Sequence, residues 1–234
     1  MDNMTGVAKN QIPLSRIQKL IGDLMLQSKR QKPYCYLECV ADLTELTAFR
    51  KPYCKETGLR VTTNDFFFRA MARAVQAHPL MAGQLDPTGD FVRISIHIGV
   101  GFAVSAPQGL VVPVIKEVED KTLAAIAEDS DRLLKRARAN KLTPDDFHGD
   151  TVVLSGLGMY GIHSFLAIAP PGATGILSIG NISDTIRPID GDMMVRKTMS
   201  VSLAADRRIV DEFYAARFLR HIVTQLEDPA GLTR

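Results

Sequence analysis

The sequence has three cysteines, no tryptophan and no apolar run near the ~18 residues that a membrane span requires. Cys35, Cys39 and Cys54 are odd in number and contain no Cys-x-x-Cys pair. That argues against a disulfide framework or a zinc site and for reduced thiols in a reducing compartment. Met1 to Gln11 is polar, which speaks against a signal peptide, and a cytoplasmic location is expected. An excess of one charge is lacking too: 28 basic against 26 acidic residues leave a net +2, too balanced to argue for a nucleic-acid surface. The clusters Lys29-Arg30-Gln31-Lys32 and Arg132 to Lys141 then read as solvated faces, with a coenzyme phosphate contact as the alternative. Internal repeats, low-complexity tracts and linkers are also missing, so no boundary divides the chain.

What is present is an ordinary globular composition, 46% hydrophobic and 23% charged. A compact chain of 234 residues buries roughly 70–75% of its unfolded surface, enough for a core without staples. One domain over 12–234 is expected, after a flexible segment over 1–11.

Ser15 with Gln18 three positions on is a capping box, and Ile17, Leu20, Ile21 and Leu24 follow at helical spacing, which predicts an amphipathic helix over 15–30. Asp42 and Glu45 repeat the signature before Leu43, Leu46 and Phe49. Pro52 is expected to end or bend that helix, with Gly58 in the loop beyond. A third helix is predicted from Asn64 or Asp65 to about His78, stopped near Pro79. Val92, Ile94, Ile96, Ile98, Val100, Phe102 and Val104 then alternate strictly, the pattern of one long strand with a buried face. Ala106 to Gly109 reads as a turn into a strand over Leu110 to Ile115, and Thr122 caps a helix to about Ala139. Short strands follow around Thr151–Leu154, Gly175–Ile182 and Val195–Ala204, before a helix from Asp211 to about Glu227. The order predicts an α+β domain with a mixed β-sheet packed by helices.

Three separated stretches carry a further signal: Gly109-Leu-Val-Val-Pro-Val-Ile115, Ser155-Gly-Leu-Gly158 after a strand, and Asp206-Arg-Arg-Ile-Val-Asp211 before the last helix. Their order and spacing resemble the catalytic core of the dihydrolipoamide acyltransferase component of 2-oxo acid dehydrogenase complexes. Arg16 to Ser28, Asn64-Asp65-Phe66 and Asp145 to Leu157 also match, and the resemblance spans roughly residues 11–230. It implies a two-layer fold like that of chloramphenicol acetyltransferase. It also implies acyl transfer between dihydrolipoamide and coenzyme A, both arriving in trans, and a homotrimer with each active site at a subunit interface. Other complex subunits or a lipoyl domain in trans are the implied partners, with no covalent cofactor, metal, membrane or nucleic acid. The lipoyl and peripheral-subunit-binding domains usual in the family are not in this sequence, and the tail from Leu226 is short and ends polar, which argues against assembly beyond a trimer.

The family's reaction needs a base for a thiol of pKa about 8.5 and a donor for the oxyanion of a tetrahedral intermediate. The resemblance places the donor at Ser155 and the base at the histidine of an Asp-His-Arg-x-x-Asp-Gly motif. Here that histidine position is Arg207, the orienting carboxylate is Asp211, and the closing glycine is Glu212. An arginine does not deprotonate in proteins, so Arg207 cannot serve as base. Tyr34 likewise follows Pro33 where family members often have a histidine. Substitutes are few: His163 lies eight residues after Ser155, whereas His97, His78, His148 and His221 read as exposed or locally bonded rings.

Two readings follow. In the first the chain is a catalytically impaired core kept for assembly or binding, with Ser155 shaping a turn, Asp211 an N-cap and Arg207 paired with Asp211. In the second it is an active acyltransferase with an altered substrate or base, Arg207 binding an anionic acyl donor or acceptor.

Overall fold

The computed structural model describes residues 11–107 and 109–233, so most of the expected flexible segment 1–11 lies outside the described residues. Helix α1 (Arg16–Gln31) starts at the capping box read from the sequence: Ser15 Oγ accepts from Gln18 N, and Gln18 Oε1 accepts from Ser15 N at 2.8 Å. Strand β1 (Tyr34–Asp42) follows, then α2 (Thr44–Thr57) and α3 (Thr63–Ala77). Pro52 does not end α2. It sits on the exposed side of the helix, where solvent reaches the carbonyl of Ala48 that the missing N–H leaves free, and the chain turns only at Gly58, whose φ is 71°. Asp42 and Glu45 do not form a capping box either: Asp42 Oδ1 accepts from the amide and hydroxyl of Thr44 and so closes the turn before α2.

The single long strand expected over 92–104 is three short ones. Val92–Ile94 (β3) pairs with Gly83–Leu85 (β2), Val100–Phe102 (β4) joins the main sheet, and Val104–Ala106 (β5) forms a hairpin with Gly109–Val111 (β6). Alternation reports which way side chains face, not which strand they pair with, and three partners share one alternating stretch. Its N-terminal part is not buried in this chain: Ile94 is 48% and Ile96 90% exposed. The segment that reads as one strand to Ile115 also divides, into β6 and β7 (Val114–Ile115).

Thr122 caps α4 (Leu123–Arg138) through its hydroxyl, as its spacing predicts. The last third supplies β8 (Val152–Gly156), β9 (Gly175–Ile179), β10 (Ser183–Ile189) and β11 (Asp192–Asp206), and then α5 (Glu212–Glu227). The main sheet runs β1-β11-β9-β8-β4-β7, with β10 paired to the first half of β11. Pairs β4–β8 and β8–β9 are parallel and the rest antiparallel, so the sheet is mixed.

Burial of apolar side chains on one face of this sheet makes the main core. Phe66, Phe67, Phe68 and Met71 of α3 and Phe218 and Ile222 of α5 pack there with Val201 and Leu203 of β11. A smaller cluster of Val153, Ala169, Ala173, Ile176 and Ala204 is capped by the loop between β8 and β9. Asp65 ties α3 to α4, because one carboxylate oxygen accepts from Thr62 N at 2.7 Å and the other from Ser130 Oγ at 2.6 Å. No helix among the described residues is long and apolar enough to cross a membrane.

Candidate functional site

Ser155 is near the end of β8, partly exposed, and its hydroxyl has no hydrogen-bond partner among the described residues. The turn after it is set by close backbone approach. A Cβ on Gly158 would lie 2.4 Å from Gly180 O, and one on Gly180 would lie 1.7 Å from His163 O. The loop carrying Met159 and His163 is thus pinned to the end of β9. Beside this turn opens a cleft of ≈ 390 Å³ lined by Asn64, Phe102, Gly156, Gly158 and Asn181 among others. It brings together two stretches that the sequence flagged separately, the start of α3 and the Ser155 turn. Asn181 was not singled out by its sequence, yet its Oδ1 is buried at this cleft without a partner among the described residues.

Arg207 lies at the other end of the sheet. Across it Ser155 pairs with Ser178 and Ser178 with Ser202, and Arg207 lies five residues beyond Ser202, in the turn just past the end of β11. At ~3.3 Å per residue and ~4.8 Å per strand the two ends stand roughly 15–20 Å apart. One copy of the chain therefore does not bring Ser155 and Arg207 together.

Around Arg207 the turn is tightly organised. Its amide donates to Pro33 O at 2.8 Å, which places Arg207 against the Pro33-Tyr34 corner. Asp206 is fully buried and takes both Nε and Nη2 of Arg208. The expected Arg207–Asp211 ion pair is not the one formed. Arg207 Nε donates to Glu212 Oε1 at 2.7 Å, whereas Asp211 Oδ1 is taken by the amide of Tyr214 at 2.7 Å as the N-cap of α5. Glu212 holds the Arg207 guanidinium above its usual pKa by hydrogen bond and charge. The carboxyl of Glu212 is in turn lowered, first by its own amide at the helix start and then by Arg207. Both side chains are about half exposed.

Tyr34, next to this turn, shares a 2.7 Å hydrogen bond with Ser28 and donates to Ala169 O at 3.2 Å; burial pushes its phenol upward. Lys32 is buried beside it and donates to the carbonyls of Pro170 and Ala173, and burial lowers its pKa to about 8.

The remaining histidines divide. His163 is exposed on the Ser155 side, far from Arg207. His97 lies in a turn rather than on a strand, with Nδ1 3.3 Å from Glu119 Oε1. His78 is locally bonded, its Nδ1 3.0 Å from Ala74 O, and its ring sits 5.4 Å from that of His221, edge to face, between α3 and α5. Burial and His78 lower the pKa of His221. No group of three or more metal-ligating side chains occurs among the described residues.

A mixed sheet backed by these helices is the chloramphenicol acetyltransferase-like fold; that enzyme itself superposes with a TM-score of 0.53 at 14% identity over 87% of this chain and 94% of its own. Residues 7–234 match the family of 2-oxoacid dehydrogenases acyltransferase (catalytic domain), and the chain belongs to that family. The dihydrolipoyllysine-residue acetyltransferase component of the mitochondrial pyruvate dehydrogenase complex of Caenorhabditis elegans is 36% identical over 97% of this chain and 46% of its own length. The chain spans about half the length of the curated relatives it matches. The cubic core of a pyruvate dehydrogenase multienzyme complex superposes with a TM-score of 0.88 at 28% identity, over 99% of this chain and 97% of that one. Azotobacter vinelandii dihydrolipoamide acetyltransferase superposes with the same score and identity, over 96% and 94%. Its structure was solved to examine a serine, a histidine and an asparagine in catalysis. There the serine precedes the histidine by 52 positions and the asparagine follows it by four. Ser155, Arg207 and Asp211 repeat both separations.

Proposed function

We propose that the chain is an acyltransferase core of the dihydrolipoamide type that has lost the family's base and is kept for assembly or binding, with weak or no transfer of its own. The family reaction moves an acyl group from the sulfur of coenzyme A to a thiol of dihydrolipoamide, or back. The attacking thiol gives its proton to a base, and the departing thiolate takes one. The observation that carries the reading is the permanently charged guanidinium of Arg207, already bonded to Glu212 and 52 residues after Ser155, the separation between the serine and the histidine of the Azotobacter protein. Loss of a positioned base is typically worth about 10²–10⁴ in rate.

A homotrimer is part of the same proposal. The separation of Ser155 from Arg207 calls for a second copy to complete any site. Apolar surface for one is open: Leu20 on α1, and Ile186 and Val195 on the β10–β11 ribbon, are 58%, 67% and 63% exposed. Coenzyme A and a lipoyl domain delivered in trans, or other subunits of a 2-oxo acid dehydrogenase complex, are the proposed partners.

The alternative reading, with Arg207 as receptor for an anionic acyl group, meets an electrostatic objection. Glu212 occupies Nε and Asp211 adds a second nearby carboxylate, so the cluster is already over-neutralised. The test is a transfer assay with acetyl coenzyme A and dihydrolipoamide beside light scattering for mass. A trimer with transfer at least about 10²-fold below an active family member is expected; family-like transfer would overturn the reading.

A further inference from the structure

The two departures from the family motif, at 207 and 212, are bonded to each other. Arg207 Nε lies 2.7 Å from Glu212 Oε1, and the other charged or titratable groups acting on Arg207 are Asp211 at the start of α5 and the thiol of Cys35 on β1. Arg208, the next residue, is engaged by Asp206. The Nε of an arginine and the Nε2 of a histidine are both three bonds beyond Cβ. An imidazole placed at 207 in the same direction therefore meets the same carboxylate.

We propose that Glu212 is a positioning residue for the side chain at 207, so that Arg207 and Glu212 form one unit and an imidazole restored at 207 alone is held more in its protonated form, and so is less available as a base, than one restored together with glycine at 212. The inference rests on reading 207 as the emptied base position. A carboxylate within hydrogen-bond reach favours imidazolium and raises its pKa above the ordinary ~6.5. The start of α5 acts the other way, through the positive end of its dipole, but that end already faces the carboxylate of Asp211. A glycine at 212, as in the family motif, removes the carboxylate and leaves the imidazole neutral near pH 7. Because both positions are about half exposed, solvent limits the shift to about one pH unit, or roughly tenfold in the neutral fraction on the acid side.

The experiment is a proton NMR titration of the intact chain in three forms, Arg207→His, Arg207→His with Glu212→Gln, and Arg207→His with Glu212→Gly. The five native histidines serve as references from the unsubstituted protein. Glu212→Gln nearly preserves shape and removes only the charge, so it separates electrostatics from backbone effects of glycine. The added imidazole is expected to titrate about one unit higher with Glu212 than with either replacement. The acid limb of any regained acyl transfer should move with it. Equal titration in the three forms would overturn the proposal. The titration needs no activity, so it stays distinct from the functional reading: family-like transfer by the unsubstituted chain sinks that reading and leaves the pairing of 207 with 212 to be judged by the imidazole.

Discussion

Asp206 grips Arg208 through two parallel hydrogen bonds, Nε to Oδ1 at 2.9 Å and Nη2 to Oδ2 at 2.6 Å, with the carboxylate fully buried and the guanidinium reaching the surface. The Arg208 amide adds a third bond to Oδ1 at 3.1 Å. This fork closes the turn that leaves β11 and fixes the direction in which Arg207 departs. Asp206 also raises the pKa of Arg208 by hydrogen bond and charge.

Arg208→Ala should therefore be expensive. It leaves a buried carboxylate without its main partner, a change worth about 3–5 kcal/mol when both charges are enclosed. The Arg208 side chain is 36% exposed and Lys32 remains nearby, so about 2–3 kcal/mol is expected here. Urea unfolding measures it through the midpoint, and a loss below about 0.5 kcal/mol would show that Lys32 and water suffice for Asp206.

How far the sequence speaks depends on how local each signal is. Helices α1, α4 and α5 are legible because Ser15, Thr122 and Asp211 cap them with side-chain oxygens that accept from amides three residues on. Strand β1 escapes notice because two of its outward positions, Tyr36 and Val40, are as apolar as its inward ones, which leaves Glu38 alone between them to mark the alternation. The stretch 92–104 misleads for the opposite reason, since perfect alternation is shared among three sheets. At the site, spacing picks out Ser155, Arg207 and Asp211 along the chain. It does not reveal that Asp211 is consumed by capping, so that the partner of Arg207 becomes Glu212, nor that Ser155 lies at the far end of the sheet. Both depend on three-dimensional competition for the same oxygens and on strand order.

Gly180→Ala is expected to be among the most damaging single-methyl changes in the chain. Its Cβ would fall 1.7 Å from His163 O, and the obstacle is backbone rather than a movable side chain tip. The loop after Ser155 must detach from β9 to make room, losing the bond from Asn181 N to Ile162 O at 2.9 Å. A cost of about 2–4 kcal/mol is expected, together with faster amide exchange or proteolysis confined to residues 157–166. Alanine tolerated at no cost would mean that this loop is not held as described.

Lys32 gives the chain a distinct alkaline signature. Burial lowers its pKa from 10.5 to about 8, against partial support from Asp206. Between these values the unfolded chain binds more protons than the folded one, so stability rises with pH from about 8 toward 10.5. The gain between pH 7 and 9 is about 1 kcal/mol. Burial of Cys35, Cys39 and Tyr34 raises their pKa values, which works in the opposite direction at higher pH, so the comparison must be with Lys32→Met. That variant leaves the carbonyls of Pro170 and Ala173 without their donor at every pH. The stability difference between the two proteins should widen from pH 7 to pH 9, and a constant difference would place the Lys32 pKa well above the window.

Ser155 separates a structural from a chemical role. Its hydroxyl bonds nothing among the described residues, so Ser155→Ala should change stability by less than about 0.5 kcal/mol. A larger loss would make the serine a turn former and remove it from the chemistry. In the chain carrying Arg207→His and Glu212→Gly the same substitution should lower kcat by about 10²–10³ with little change in KM, because an oxyanion donor acts on the intermediate and not on the bound substrate. Measured in a trimer mixed from Ser155→Ala subunits and subunits unchanged at 207 and 212, the loss has a further diagnostic. If each site joins the Ser155 of one copy to position 207 of another, mixing the Ser155→Ala form of the restored chain with subunits unchanged at 207 and 212 restores part of the transfer, because some sites then pair an intact Ser155 with the imidazole introduced at 207; sites built within one copy would stay inactive. Mixing the Ser155→Ala form of the restored chain with the fully restored chain instead lowers the rate in proportion to the sites that lack the serine.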